Sequence, residues 1–132
     1  MFSLYRNQNG ENFEKYVSLP TTASETYTIG EALVLSSGKV TKCGATAVPT
    51  HIAGCSYVAP ATGMQPIPCI PIQKSFELIT TAYADPSSLN IGDKVTLHTD
   101  GLQVTATTTS GVAEIVNKLG AAAAGAQLVV KF

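Results

Sequence analysis

The side chains of this 132-residue chain that could do chemistry are its two histidines, three cysteines and nine acidic residues. His51 and His98 lie in none of the H-x-H, H-x-x-E-H or H-E-x-x-H spacings that build metal sites. Cys43 and His51 would supply a nucleophile and a base, but the sequence suggests no third residue to orient them. The sequence therefore predicts no catalytic residue, no metal site and no cofactor-binding residue.

The three cysteines are an odd number, at gaps too wide for a C-x-x-C motif. For Cys43, Cys55 and Cys69 we expect reduced and mostly buried thiols, with one disulfide and a leftover thiol as the alternative. Reduced thiols indicate folding in a cytosol, and the first ten residues lack the sustained apolar run of a signal peptide. No segment is long enough to span a bilayer, so we expect no membrane partner.

Composition and charge limit the class of protein. The chain is 45% hydrophobic and 13% charged, with a formal net charge of −1. This balance argues against disorder and indicates one compact domain with a buried core. Because there is no basic surface, direct binding to nucleic acid is not expected. A near-neutral chain also has little self-repulsion, which suits a protein that works in an assembly.

From Thr28 onward, short apolar runs alternate with turn residues and predict an all-β domain. The turn pairs Ser37-Gly38 and Asp100-Gly101 lie between alternating apolar residues and predict two hairpins. The segment "QPIPCIPIQ" excludes a helix, and its prolines favour an edge strand or an extended bridging segment. At residues 112–116 the spacing fits a short helix or a strand, and a repeat in the chain favours the strand.

That repeat is the strongest pattern in the chain. The triplet Ile29-Gly30-Glu31 returns as Ile91-Gly92-Asp93, and each is followed by a strand, a glycine turn, a second strand, a threonine-rich link and a third strand. The matched positions are Leu33 with Val95, Leu35 with Leu97, Gly38 with Gly101, and Val40 with Val104. Because one hairpin and a strand cannot bury an apolar face alone, we expect two such units to close a small β-barrel or sandwich. Each glycine would permit a tight entry turn whose acid accepts backbone N–H groups, and chance likeness of β segments is the alternative.

The first 28 residues differ in character from the rest. Polar residues surround five aromatics without a steady strand or helix period, namely Phe2, Tyr5, Phe13, Tyr16 and Tyr27. One interpretation is an extended N-terminal arm, residues 1–28, that lies on a partner's surface beside a single β-rich domain at residues 29–132. In that case the expected partner contacts are Phe2, Tyr5, Phe13 and Tyr16. The other interpretation is an N-terminal strand and loop packed on the chain's own domain.

The start of the β-rich domain resembles a known family. A pattern typical of tailed-bacteriophage capsid decoration proteins, also called head cement proteins, is matched by Gly30-Glu31-Ala32-Leu33, Gly38, Thr41-Lys42, Gly44, Pro49 and Ile52. The resemblance implies a non-enzymatic protein, without a cofactor, that binds the outer surface of the phage capsid and stabilises it. It also implies the major capsid protein as partner, a dimer or trimer on the capsid surface, and synthesis in the cytoplasm of a host bacterium.

Two other classes of protein stay open. Another minor viral structural protein, from a tail, a spike or a head-completion complex, would share the β-rich architecture. A small ligand-binding or enzymatic β-barrel would need convergent polar groups in a pocket, and the sequence shows no cluster that supplies them.

Overall fold

The chain folds into a series of short β-strands. The computed structural model describes residues 1–8, 15–62 and 65–132, and the predicted contact Phe13 lies outside them. The strands are β1 (Ser3–Asn7), β2 (Val17–Pro20), β3 (Thr26–Tyr27), β4 (Ala32–Ser36), β5 (Lys39–Lys42), β6 (His51–Ala53), β7 (Tyr57–Val58), β8 (Pro66–Pro71), β9 (Phe76–Thr81), β10 (Lys94–Val95), β11 (Ala113–Lys118) and β12 (Gln127–Lys131). The prediction of an all-β fold is confirmed. Within these ranges no helix is long and apolar enough to cross a membrane.

Most of the strands belong to two five-stranded sheets. One has the order β2-β8-β6-β4-β5 and the other the order β1-β9-β12-β11-β10, while β3 pairs with β7. Each sheet also curls back on itself, because parallel bridges join Thr21 to Val40 in one and Ala82 to Val104 in the other. Curling of this kind protects strand edges that a flat sheet would expose.

The two sheets are copies of one arrangement, which we call the first unit (residues 17–72) and the second unit (residues 76–132). In order, β2, β8, β6 and β4 of the first unit correspond to β9, β12, β11 and β10 of the second. Equivalent residue pairs are Leu33–His51 and Val95–Ala113, Ala53–Cys69 and Ile115–Val130, and Leu35–Val40 and Leu97–Val104. The predicted repeat is confirmed, and it extends over whole units rather than a hairpin and one strand.

Both units contain the same glycine turn. In the first unit the Thr28 N–H donates to the Glu31 carboxylate at 2.8 Å, and the Glu31 N–H donates to the Thr28 carbonyl at 2.9 Å. In the second unit Asn90 and Asp93 form the same two bonds, at 2.8 and 3.1 Å. The glycine before each acid has a φ of 78° or 95°, where a side chain is disfavoured. The prediction that these two acids form turns is therefore confirmed.

Two further local predictions hold. The Ser37-Gly38 turn joins β4 to β5, and the pairing of the two strands continues without a break from Ser36–Lys39 back to Leu33–Lys42. Residues 113–116 lie in β11, so the segment is a strand. Ala113 and Ile115 are fully buried and alternate with more exposed residues, which is the pattern of a strand with one face in the core.

The second predicted hairpin forms as a wide turn rather than as two long strands. Leu97 and Val104 make a single antiparallel bridge, and the Asp100 carboxylate accepts the Leu102 N–H at 2.8 Å. The turn is two residues longer than its counterpart in the first unit, as the alignment of the repeat predicted. The added residues are held by this local cap and by the His98 backbone N–H, which donates to the Gln103 carbonyl at 2.9 Å.

The proline-rich strand β8 lies between β2 and β6, so the expectation of an edge strand is wrong. Its neighbours overlap only at Cys69, because β2 pairs with residues 66–69 and β6 with residues 69–71. The Pro68 carbonyl accepts the N–H of Gly54, the residue just after β6, at 2.8 Å. The Pro68 nitrogen, which has no hydrogen to donate, faces the same side, where β6 has already ended. Interior prolines are tolerated here since each half of β8 is paired along one side only.

Two groups of buried apolar side chains form the core. The smaller group fills the first unit and consists of Tyr27, Leu33, Val40, Ala53, Ala59, Ile67 and Cys69. The larger group fills the second unit and also includes Ala32, Ile52 and Ile70 from the first. Because these three residues alternate with members of the smaller group, the central strands of the first unit are buried on both faces.

Candidate functional site

The N-terminal segment is paired within the chain's own sheets. β1 runs antiparallel to β9, with Leu4 opposite Leu78, and it is the last strand of its sheet. Its register shifts at Tyr5, a bulge of the kind usual at sheet edges. β2 and β3 also belong to sheets. Of the two interpretations of residues 1–28, the described residues follow the second, a segment packed on its own domain.

The predicted partner contacts have different environments. Phe2 is 2% exposed, its N–H donates to the Gly30 carbonyl at 2.9 Å, and its ring centroid lies 5.7 Å from that of Phe132. Phe2 is therefore a core residue and offers no surface to a partner, because its apolar ring fills the space between the units. Tyr5 and Tyr16 are 46% and 54% exposed, so their side chains reach solvent. Their role as contacts stays a prediction.

An ion pair fastens β1 to the second unit. The Arg6 guanidinium contacts both carboxylate oxygens of Glu77, with Nη2 3.1 Å from Oε1, and the Gln8 amide donates to the same carboxylate at 2.8 Å. The Glu77 side chain is 1% exposed, whereas that of Arg6 is 59% exposed. Hydrogen bonding from Arg6 holds the pKa of Glu77 below its ordinary value, although burial acts in the opposite direction. The pair positions β1 while much of Arg6 stays at the surface.

A shallow apolar cleft of about 150 Å³ lies beside the start of β1. Its buried lining includes Phe2, Ile52, Ala53 and Ile70. Three exposed apolar residues also line it, which we call the cleft rim: Met1, Tyr16 and Ile29. An apolar cleft with an aromatic residue at its opening is a common form of protein contact surface.

Two glycines allow this rim to pack closely. A Cβ on Gly54 would lie 2.8 Å from the Tyr16 ring, and a Cβ on Gly30 would lie 2.6 Å from the Cβ of Met1. Both separations are shorter than van der Waals contact allows. Tyr16 and Met1 therefore rest directly on the backbone of the first unit, and the rim has a defined shape.

The nucleophile and base considered in the sequence, Cys43 and His51, have ordinary environments, buried for Cys43 and partly buried for His51. Burial raises the pKa of the Cys43 thiol to about 11, so the thiol is protonated at neutral pH and is a poor nucleophile. The His51 Nδ1 lies 2.9 Å from the Thr50 hydroxyl, and burial lowers the pKa of His51. In residues 1–8, 15–62 and 65–132, no group of three or more His, Cys, Asp or Glu side chains could hold a metal ion.

Glu31 connects the two units. It is 1% exposed, and the carboxylate oxygen not used by the turn lies 3.2 Å from the Lys42 Nζ. Gly101 of the second unit lies against it, since a Cβ there would be 2.9 Å from the Glu31 Cγ. The Gly101 carbonyl also accepts the Ala32 N–H at 2.8 Å. The repeated acid of the first unit is therefore a structural residue at the contact between units.

Sequence reasoning missed one aromatic pair. The rings of Tyr83 and His98 are stacked, with centroids 3.8 Å apart and planes inclined by 17°. Tyr83 follows the bridge residue Ala82, and His98 follows Leu97, which bridges to the same Val104. Because the two rings meet through pairing between segments distant in sequence, no local spacing signals the contact.

Comparison with known proteins gives a likeness in fold. No protein-family model matches the chain, and no curated protein matches it. Among solved structures, the crystal structure of the head fiber gp8.5 N base in bacteriophage phi29 is similar, with a TM-score of 0.58. The similarity covers 89% of this chain and 94% of that chain, at 17% sequence identity. The two chains share a fold.

Proposed function

We propose that this chain is a structural protein of a bacteriophage virion that binds the outer surface of the capsid and stabilises it. The observation that carries the proposal is the likeness in fold to the N base of a phage head fiber, over 94% of that chain. The pattern between Gly30 and Ile52, which resembles capsid decoration proteins, supports the same role. In this role the chain has no enzymatic activity and needs no cofactor.

The proposed contact with the major capsid protein is the cleft rim together with Tyr5. The exposed rings of Tyr16 and Tyr5 can anchor an interface, because aromatic side chains bury a large area with little loss of conformational entropy. Each contact can be weak, since a capsid presents many equivalent sites. A dimer or trimer of the chain would bind several of them at once and gain avidity.

A second candidate is the base of a fiber or another minor structural protein. It is favoured because the similar structure is itself the base of a head fiber. Quantitative mass spectrometry of intact virions separates decoration from a tail, spike or head-completion role, since decoration requires hundreds of copies and the others a handful. Electron microscopy of the same particles identifies a fiber base by density projecting beyond the bound body.

Co-sedimentation with capsids tests the proposal. The protein is mixed with capsids of the phage whose genome encodes it, and the bound fraction is measured for the wild type and for a Tyr5→Ala, Tyr16→Ala double variant. We expect the double variant to bind at least about tenfold more weakly, because interface aromatics each contribute more than about 1 kcal/mol. Tyr83→Ala is the matched control, because Tyr83 is 57% exposed but belongs to the second unit and does not line the cleft.

Two results would contradict these assignments. Failure of the wild-type protein to sediment with capsids, together with its absence from purified virions, would overturn the proposed function. Equal loss of binding in the double variant and in Tyr83→Ala would instead show that the contact surface is misplaced.

A further inference from the structure

Tyr83 presents one face of its ring to solvent. The other face lies on the His98 imidazole, with ring centroids 3.8 Å apart, and Tyr83 as a whole is 57% exposed. The backbone below is fixed, because the Tyr83 N–H donates to the Val104 carbonyl at 2.8 Å. The ring is therefore a flat platform held in one orientation.

The imidazole under the platform is held as well. The backbone N–H of His98 donates to the Gln103 carbonyl at 2.9 Å. In the ring, the His98 Nδ1 lies 3.1 Å from Asp100 Oδ2. The other Asp100 oxygen accepts the Leu102 N–H at 2.8 Å. A platform that is ordered before a ligand arrives loses little conformational entropy on binding.

Polar side chains lie beside the platform. Gln103 lies opposite His98, because the His98 backbone N–H donates to the Gln103 carbonyl, and Thr81 ends β9 next to the bridge residue Ala82. The Gln103 amide donates to the Thr81 hydroxyl at 2.8 Å. An amide, a hydroxyl and the Asp100 carboxylate thus accompany one aromatic ring, and the carboxylate interacts with the Met1 amino terminus.

The first unit shows that the fold does not require this platform. Thr22 and Ser36 occupy the positions equivalent to Tyr83 and His98. Thr22 donates its N–H to the bridge residue of the neighbouring strand, as Tyr83 does. The same unit therefore closes with two small hydroxyl side chains. An exposed ring that is already held by a stack, at a position where the fold accepts a small side chain, is available to stack on a ligand.

We propose that Tyr83, with the polar side chains beside it, forms a binding site for a neutral carbohydrate. A pyranose has a flat face of C–H groups that stacks on an aromatic ring, and a rim of hydroxyls that bonds to amides, hydroxyls and carboxylates. The Asp100 carboxylate interacts with the Met1 amino terminus, and no Lys or Arg side chain belongs to the group. The group therefore has no free cation for an anionic ligand such as a nucleotide, and its balanced charges favour a neutral one. The site adjoins the cleft rim, because Met1 interacts with Asp100 and lines a shallow pocket together with Thr81. It adds a second binding function to the chain.

NMR titration of the full chain with three neutral hexasaccharides, cellohexaose, maltohexaose and chitohexaose, tests the proposal. We expect the ring signals of Tyr83 and His98 to shift with at least one of them, with a dissociation constant of about 1 mM for a single stacking platform. Tyr83→Ala should abolish the shifts. Tyr83→Phe should bind within about threefold of the wild type, because stacking needs the ring and not its hydroxyl.

Further variants and a second probe decide between explanations. His98→Ser, which copies the first unit, should weaken binding several-fold. Tyr5→Ala should bind like the wild type, because Tyr5 lies opposite the start of β9 and Thr81 is at its end. Absence of a shift with all three saccharides, or unchanged affinity in Tyr83→Ala, would overturn the proposal. Shifts caused by a decaproline peptide but by no saccharide would overturn it in favour of a protein contact. Since no capsid is involved, failure here leaves the sedimentation result intact.

Discussion

The first and second units have one fold and different interiors. At four equivalent inward positions the first unit has Leu33, Val40, Ala53 and Cys69, and the second has Val95, Val104, Ile115 and Val130. The small side chains of the first unit are compensated by Tyr27, which stands where the second unit has Leu89. The comparison teaches that a duplicated β unit keeps the volume and alternation of its interior and not the identities of its residues.

The larger ring of the first unit brings a polar group that the interior has to accommodate. The Tyr27 hydroxyl donates to the Val40 carbonyl at 2.8 Å and accepts the Thr22 N–H at 2.9 Å. Burial raises the pKa of Tyr27 to about 12, so the side chain is neutral at physiological pH. Both hydrogen-bonding functions of the hydroxyl are satisfied, which removes most of the cost of burying it.

A second difference is the strand that precedes both units. β1 pairs with β9 of the second unit, and its Arg6 binds Glu77. The first-unit position equivalent to Glu77 is Tyr16, a residue of the cleft rim. One unit thus uses this position to hold β1, and the other uses it to form a surface. The predictions that follow test how far the two units differ.

The largest effect is expected from removing the Phe2 ring. Phe2→Ala leaves a cavity between the units and should lower the free energy of unfolding by about 3–5 kcal/mol. Tyr5→Ala, three residues further along the chain in β1, is the control and should change it by less than about 1 kcal/mol, because Tyr5 is exposed. Urea denaturation measures both. A loss below about 1 kcal/mol for Phe2→Ala would contradict the assignment of the Phe2 ring to the core.

The two turn glycines should respond unequally to alanine. Both have positive φ, so either substitution costs about 1–2 kcal/mol in backbone strain. Gly30→Ala carries an added clash with Met1, whereas a Cβ on Gly92 would meet nothing within 4 Å. Thermal denaturation should therefore show a larger loss for Gly30→Ala. Equal losses would show that Met1 moves aside freely.

Acid should weaken the β1–β9 edge through Glu77. Since the pKa of Glu77 is lowered in the folded protein, its contribution to stability is complete above the ordinary carboxyl pKa of 4.5 and is lost as pH falls through the folded value. Glu77→Gln should flatten the dependence of the urea midpoint on pH below about 4.5. Glu114→Gln is the control, because Glu114 pairs with Lys131 while partly exposed. An unchanged pH profile in Glu77→Gln would contradict the expectation.

The smallest effect is expected where one unit is given the residue of the other. Cys69→Val copies Val130 and adds roughly one methyl group to the interior. It should lower the free energy of unfolding by about 1 kcal/mol, at the low end of the cost of overpacking. Thiol labelling of the native wild type should modify Cys55, which is partly exposed, before the buried Cys43 and Cys69. Burial raises the pKa of both buried thiols to about 11, which slows their reaction further. Equal labelling rates would show that the first unit opens readily.

The repeat could be predicted from sequence because its signals are local. A glycine with positive φ and an acid that caps the same turn lie next to each other in the chain, as do Ser37 and Gly38 in the hairpin. Alternating apolar residues then identify the strands that follow each turn. These features made the entry turns, the first hairpin and the strand at β11 predictable without a structure.

Features that depend on distant pairing could not be predicted in this way. An aromatic residue near the start of a chain is equally suited to a core and to an interface, so nothing local distinguishes buried Phe2 from exposed Tyr16. The interior position of β8 depends on where β2 and β6 end, and the stack of Tyr83 on His98 depends on bridges to Val104. Each of these becomes visible only once the sheets are assembled.

The pairing of β1 also has a consequence for the time course of synthesis. Arg6 and Glu77 are 71 positions apart in sequence, so at about 5–20 residues per second the partner of β1 is completed roughly 4–14 s later. During that interval the strands of the first unit are made, and the last of them, β8, is complete just before β9. The N-terminal strand, with its apolar Phe2, stays unpaired until β9 emerges, and contacts of such long range favour slow folding. The strand that anchors the second unit is thus made long before the strand it pairs with.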